Sequence, residues 1–278
     1  MSTLADRRRR FRALHEHGCF VIPNPWDVGT TRFLGSLGYQ AVATTSAGVA
    51  FSAGLPDTAV GRDAMLAHVR TIVDATELPV NADFEAGYAE DLDAMAENVR
   101  LCVETGVAGL SIEDARGHHA DAFWDVDTAA RRVAAARKAI DDAGAEVVLT
   151  GRAECFLHGE TDVRVAIDRL RAYADAGADC LYAPGMRTRE QIAAVVEAVA
   201  PKPVNVLMAS AAGLTAADLA ALGVRRISVG SALARVAWGA FIRATRQLAE
   251  GRFDGLADAV PFAEIDRFFR EDCPRRAG

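Results

Sequence analysis

No stretch of this chain offers about twenty consecutive uncharged apolar residues, the length a helix needs to cross a bilayer. Nor does a sustained apolar segment separate Arg10 from the polar loop at Asn24, so the sequence reads as a cytoplasmic protein without a secretory leader. Cysteine is sparse, odd in number and scattered (Cys19, Cys102, Cys155, Cys180, Cys273), with no CxxC pair. That fits reduced thiols better than a disulfide framework or a zinc cluster. Basic charge is in deficit, with a net charge of −7, which argues against a general binder of nucleic acid. The run Arg7 to Arg10 is the local exception, and it reads as the solvated face of a short N-terminal helix. No Pro/Ser-rich linker divides the chain and no tight internal repeat is visible.

What is present is apolar and small. Hydrophobic residues make up 51% of 278 positions, much of this Ala, Val and Leu, as expected of helices packed around buried parallel strands. Short β-type runs occur at 19–22, 41–44, 79–83, 109–113, 147–152, 180–183, 204–207 and 226–229. Amphipathic stretches lie between them, at 62–75, 89–105, 126–143, 161–176 and 187–200, and Gly38, Gly106, Gly144, Gly177 and Gly223 close several helical segments. Eight such units predict one α/β domain over residues 1–278, a single (β/α)8 TIM barrel with extra C-terminal helices at 232–250 and 258–270.

The chemistry gathers at the ends of the predicted strands. PVNADFEAGY (Pro79 to Tyr88) and GLSIEDA (Gly109 to Ala115) each run from apolar residues into carboxylates, and a parallel barrel carries its active site at that rim. Asp83, Glu85 and Glu113 are therefore candidate metal-site residues. Ser46, Ala47 and Gly48 follow the second strand, Arg152 and Glu154 end the fifth, and Asn205 falls in the seventh. Oxygen-only donors suit a hard divalent cation of the Mg²⁺ type. A lone Asp is more often a salt-bridge partner or a cap, but three carboxylates on neighbouring strand ends favour a site. Cys155 reads as a packed thiol because no base is identifiable beside it. Trp26, Phe51, Trp124 and Tyr88 are candidate pocket walls, Tyr88 foremost.

These residues resemble the phosphoenolpyruvate mutase/isocitrate lyase superfamily. The likeness rests on PNPWDVGTTRFLGSLGYQAVATTSAG (Pro23 to Gly48), ADFEAGY (Ala82 to Tyr88), SIEDA (Ser111 to Ala115), RRVAAARKA (Arg131 to Ala139) and GRAE (Gly151 to Glu154). It implies a Mg²⁺- or Mn²⁺-dependent enzyme acting on small α-keto or α-hydroxy carboxylates through an enolate, often as a homotetramer that swaps a C-terminal helix between subunits. Asp83 then resembles the direct metal ligand, and Glu85 and Glu113 the carboxylates that hold the metal's water shell. Asp57 stands where the superfamily has its gating-loop aspartate. The N–H groups of Ala47 and Gly48, beside Ser46, resemble donors to the substrate carboxylate, and Arg152 resembles the cation paired with it.

Departures narrow the branch. Lyases acting on isocitrate or methylisocitrate carry a Lys-Lys/Arg-Cys-Gly-His loop after the acidic motif, whereas this chain has Ala115-Arg116-Gly117-His118-His119. Without that cysteine both activities are disfavoured. The Lys and Asn used by phosphonopyruvate-processing members are missing too, which weakens P–C bond chemistry as a reading. His118 or His119 is the candidate replacement acid. The resulting expectation is a C–C lyase on a small keto or hydroxy acid. Its rivals are a P–C mutase or hydrolase, a pyruvate-type metal aldolase on a related barrel, and a catalytically inactive binding barrel.

Overall fold

Most helices of this protein begin where a short polar side chain turns back on the backbone. The structure, a computed structural model, describes residues 2–116, 123–211 and 213–276. α1 (Leu4–Leu14) starts behind a Thr3/Asp6 capping box, β1 (Phe20–Ile22) follows, and α2 (Val28–Ser36) opens on an Asp27/Thr30 box. β2 (Val42–Ala43) runs into α3 (Ser46–Ser52) through the cap Thr45, and α4 (Arg62–Asp74) leads to β3 (Val80–Asp83). Next come α5 (Leu92–Glu104) capped by Asp91, β4 (Gly109–Glu113), α6 (Val126–Asp142) capped by Asp125, and β5 (Val148–Arg152). α7 (Val163–Asp175) opens on Asp162, β6 (Cys180–Tyr182) follows, and α8 (Arg189–Val199) has a Thr188/Gln191 box. β7 (Val204–Leu207), α9 (Ala216–Ala221) and β8 (Arg226–Ser228) complete the series. Each side-chain cap satisfies backbone N–H groups that the helix leaves open, a contribution of about 1 kcal/mol.

All eight strands are parallel, in the order β1-β8-β7-β6-β5-β4-β3-β2. The gap between β1 and β2 is bridged where Ala43 N–H donates to Pro23 O at 3.0 Å. Asn24 stitches the same seam, donating to Thr44 O at 2.9 Å and accepting from the N–H groups of Val229 and Gly230. The result is the expected (β/α)8 barrel, every strand lying within one residue of its predicted limits. α3 is a helix beyond those the sequence pattern predicts, while Gly223 does close one, α9. Ser46-Ala47-Gly48 forms the first turn of α3, because Thr45 Oγ1 accepts from Gly48 N–H and starts a helix there.

The arginine run differs from its solvated reading. Arg7 donates to Thr76 O just beyond α4, and Arg8 donates to Val103 O in the last turn of α5 and to Val107 O. Only Arg9 and Arg10 are exposed. Carbonyls at helix C-termini lack partners and carry partial negative charge, so guanidinium groups dock on them.

Two cores lie on either side of the sheet. The larger packs helices against strands, through residues such as Phe84, Met95, Val133 and Leu170. The smaller joins Phe11 of α1 to Phe20, Ile22, Ala43, Val148 and Cys180. Glycine at position 109 makes room for it, since a Cβ there would lie 2.5 Å from a Phe11 ring carbon. Beside this core Arg226 is only 3% exposed and donates to Asn205, Thr150 and Asn81. His15 pairs with it at 3.4 Å through Nε2, while Nδ1–H donates to Phe11 O at 2.8 Å. All five cysteines are free, and no described helix is long and apolar enough to cross a membrane.

The contacts divide the chain into units at 1–232 and 233–278. The second unit holds most of α10 (Ala232–Ala249) and α11 (Phe262–Arg276), and it exposes Val236, Trp238, Phe241, Phe253 and Phe262.

Burial, reinforced by the Arg226 charge, pushes the His15 pKa down to about 3. The unfolded chain therefore takes up this proton near pH 6.5 while the folded chain refuses it, so His15 costs stability as pH falls from about 6.5 towards 3. The urea midpoint of the wild type should fall more between pH 7 and pH 5 than that of His15→Gln. Parallel pH profiles for the two proteins would contradict this assignment.

Candidate functional site

Three neighbouring strands bring their charged ends together. Asp83 closes β3, Glu113 closes β4 and Arg152 closes β5, with Glu113 directly in register with Arg152. Arg152 Nη1 lies 3.1 Å from Asp83 Oδ1 and 3.2 Å from Glu113 Oε2, and Nε donates to Glu154. Burial works against the arginine's charge, but Glu154, Glu113 and Asp83 outweigh it and hold its pKa well above the ordinary value. Ser46 fixes the other oxygen of Asp83, donating from both its N–H and its hydroxyl at 3.0 Å. The same hydroxyl lies 3.4 Å from Asp57.

Glu85 joins the group from the loop after β3. Its carboxylate accepts from Tyr88 Oη at 2.9 Å, and its backbone carbonyl accepts from Glu113 N–H at 3.0 Å. Burial first, and then the nearby Asp83 charge, pushes Glu85 up to about 7. Burial also lifts Glu113 well above the carboxylate range, with repulsion from Glu154, Asp83 and Glu85 only partly offset by Arg152. Burial and the Glu85 charge raise the Tyr88 hydroxyl, keeping it a proton-bearing donor.

The cluster opens on connected hollows. One, of about 180 Å³, is lined by Ser46, Ala47, Asp57, Asp83, Arg152 and Asn205 among others. A second, of about 430 Å³, is bordered by Glu85, Tyr88, Glu113 and Trp124. Ser46, Asp57 and Arg152 also border a third, which reaches Glu113 and Glu154. Most expected site residues therefore meet. Gly48 is an exception, because its N–H is engaged by Thr45 and the residue lines none of these hollows. Asn205 reaches the first hollow with its amide already bonded to Ser228 and Arg226. His118 and His119 lie outside the described residues. Cys155 is buried, and burial pushes its thiol up to about 11, as befits packing and not a nucleophile.

Every anionic donor here is an oxygen, and three carboxylates crowd a single guanidinium with Glu85 close by. Such an excess of negative charge at low dielectric fits a hard divalent cation. Among the described residues no three His, Cys, Asp or Glu side chains form a ready metal cage. Mg²⁺ does not require one, since it keeps several waters and is commonly held by one or two carboxylates.

The sequence places Asp114 beside Glu113 at the end of the fourth strand, but its role as support beneath this cluster shows only in the structure. Asp114, 2% exposed, accepts from Glu154 N–H at 2.8 Å, Tyr173 Oη at 2.5 Å and Arg169 Nη1 at 2.9 Å. It thereby locks the segment carrying Arg152 and Glu154 to α7. The spacing of Arg169 and Tyr173, four residues apart on one helix face, was the available signal. Behind Arg152 stands Tyr182, its ring centroid 5.2 Å from the guanidinium carbon. Asp114→Ala would strand Arg169 without its buried partner and should cost about 3 kcal/mol or more of stability, read as a lowered denaturant midpoint. A midpoint within error of wild type would overturn the bracing role.

A family model for phosphoenolpyruvate phosphomutase matches residues 11–249, which span every strand of the barrel. Among solved structures, a lyase/mutase from Burkholderia cenocepacia J2315 is 49% identical with a TM-score of 0.92, covering 96% of this chain and 97% of the other. An uncharacterized protein of Mycobacterium tuberculosis H37Rv is 34% identical, with 92% and 94% covered. An oxaloacetate decarboxylase of Paraburkholderia xenovorans is 31% identical, with 82% and 76% covered. Similarity on this scale follows the whole alternating series of strands and helices and not one acidic motif, and on that ground the chain belongs to the phosphoenolpyruvate phosphomutase family, in the superfamily of lyases and mutases that it shares with isocitrate lyase.

Proposed function

We propose that this protein is a Mg²⁺-dependent lyase, with Mn²⁺ as a substitute, that cleaves a C–C bond in a small α-keto or α-hydroxy (di)carboxylate through a pyruvate-like enolate. The observation that carries the reading is the sharing of Arg152 Nη1 by Asp83 and Glu113 at the wall of a cavity sized for a small acid. Likeness to an oxaloacetate decarboxylase points to oxaloacetate and substituted malates as the first compounds to try.

In this reading Asp83 is the direct metal ligand, with Glu85 and Glu113 holding its water shell. The ion, when bound, supplies Lewis-acid polarisation of the substrate's keto oxygen. Ser46 keeps Asp83 in one orientation through two hydrogen bonds. Arg152 exchanges its protein carboxylates for the substrate's, which its planar fork matches with two parallel donors. The Ala47 N–H, beside Ser46, orients the opposite end, while Asp57 and the 115–125 loop close the site against water. His118 is the proton donor of this scheme.

The family's name keeps a second reading in play, mutase or hydrolase chemistry at a P–C bond. The test is a panel of oxaloacetate, substituted malates, citrate-like acids and phosphonopyruvate with Mg²⁺, followed by keto-acid assay and phosphorus NMR. Metal-dependent turnover of a malate or of oxaloacetate is expected, with Asp83→Ala abolishing it while leaving the circular dichroism spectrum unchanged. Turnover of phosphonopyruvate alone would replace the lyase reading with the mutase one, and an inert panel would favour a binding barrel.

The same proposal places the protein in the cytoplasm, where its five free thiols stay reduced. It also makes the exposed apolar residues Val236, Trp238 and Phe241 of α10 the cover for a second copy of the chain, by helix exchange. Light scattering should give a dimer or tetramer mass. A monomer at micromolar concentration would remove this part of the proposal.

A further inference from the structure

We propose that Arg132, on α6, is the positioning residue that fixes the Glu85 carboxylate by gripping the backbone of the 84–90 loop. The inference rests on reading Glu85 as a metal-site residue and adds the device that holds it there.

The loop needs holding. Glu85 and Tyr88 both take left-handed backbone angles, φ 47° and 58°, and Gly87 between them lies at φ 81°. For residues with a Cβ this region costs roughly 1–2 kcal/mol each, and it persists only where the surroundings determine it. Here the surroundings act on the carbonyls. Arg132 Nη2 donates to Ala86 O at 2.6 Å and Ala89 O at 2.5 Å, and Nη1 donates to Glu90 O at 2.8 Å. Asn98 of α5 takes Gly87 O at 2.9 Å and is itself held by Arg62 at 3.0 Å. β4 takes Glu85 O through Glu113 N–H. The chain has no room to retreat at Gly87, where even a Cβ would lie 2.5 Å from Met95 Cγ.

Arg132 is an unusual residue to find in this place. It is 1% exposed, and among the described residues it has no carboxylate within ion-pair distance. Its guanidinium carbon sits 3.8 Å from the centre of the Trp124 ring, which covers one face. Burial pulls its pKa down to about 10, still leaving it charged at neutral pH. A buried cation is costly unless hydrogen bonds and nearby charge offset its burial, and Glu90, beyond ion-pair distance, supplies part of that charge. Three of those donors serve one loop, and that loop carries Glu85. A planar fork suits the task, because it reaches three carbonyls at once while its face stacks on indole.

The test uses Mn²⁺ alone as the probe, titrated into the full-length protein with free ion followed by electron paramagnetic resonance. Arg132→Met should weaken Mn²⁺ binding by about tenfold or more, the usual scale for groups that orient metal-site carboxylates. Arg132→Lys should recover part of that loss. In a Glu85→Gln background, Arg132→Met should change affinity by less than about twofold, because its effect passes through Glu85. An equal loss in both backgrounds, or no loss in the wild-type background, would overturn the clamp while leaving the metal site standing. If Arg132→Met does not fold, Arg132→Lys, which keeps the charge but not the planar fork, is measured in both backgrounds, with a loss expected in the wild-type background only. Absence of Mn²⁺ binding by the wild type, or wild-type affinity in Glu85→Gln, would remove the reading of Glu85 and this inference together.

Discussion

One guanidinium organises the rim of this barrel. Arg152 ends β5 facing Asp83, Glu113 and Glu154, carboxylates that without it would repel one another in a poorly solvated space. The cluster is poised because the compensation is incomplete: Glu113 and Glu85 are still lifted toward the protonated form. A site in that state accepts further positive charge readily and can give up an arginine contact in exchange. That combination suits a metal ion and a carboxylate substrate arriving together.

Holding such a cluster takes material well outside it. Asp114 anchors the segment after β5 through Tyr173 and Arg169, Ser46 anchors Asp83, and Arg132 with Asn98 anchors the loop of Glu85. A polar column also descends through the barrel. Tyr182 lies over Arg152; below it Ser228 accepts from Asn205, Asn205 accepts from Arg226, and Arg226 meets His15. Buried polar groups are tolerated in such numbers because nearly every one is paired, and pairing makes each orientation specific.

The fold was legible in the sequence to a fine degree. Parallel strands buried on both faces read as short apolar runs, and their helices announce themselves with Thr and Asp caps, so the eight units appear at nearly their true limits. The acid-tipped strands three and four were equally visible. Less visible were the partnerships. Arg7 and Arg8 read as solvated charges because the helix ends they dock on are remote in sequence. Gly48 read as a ligand donor because its role as the start of α3 depends on the conformation of Thr45. Asn205 borders the cavity, but its engagement by Ser228 and Arg226 is decided by strands paired through the barrel.

By itself, then, the amino-acid order determined which residues lie in strands, which strand ends carry acids, and the family. Those properties are local: periodicity, caps and short motifs act over a few residues. Only the tertiary structure decided that Arg152 is shared among three carboxylates, that Asp114 braces it, and that Arg132, about fifty positions from Glu85, grips the Glu85 loop. Contacts of that kind depend on barrel closure and strand register, which no local pattern encodes.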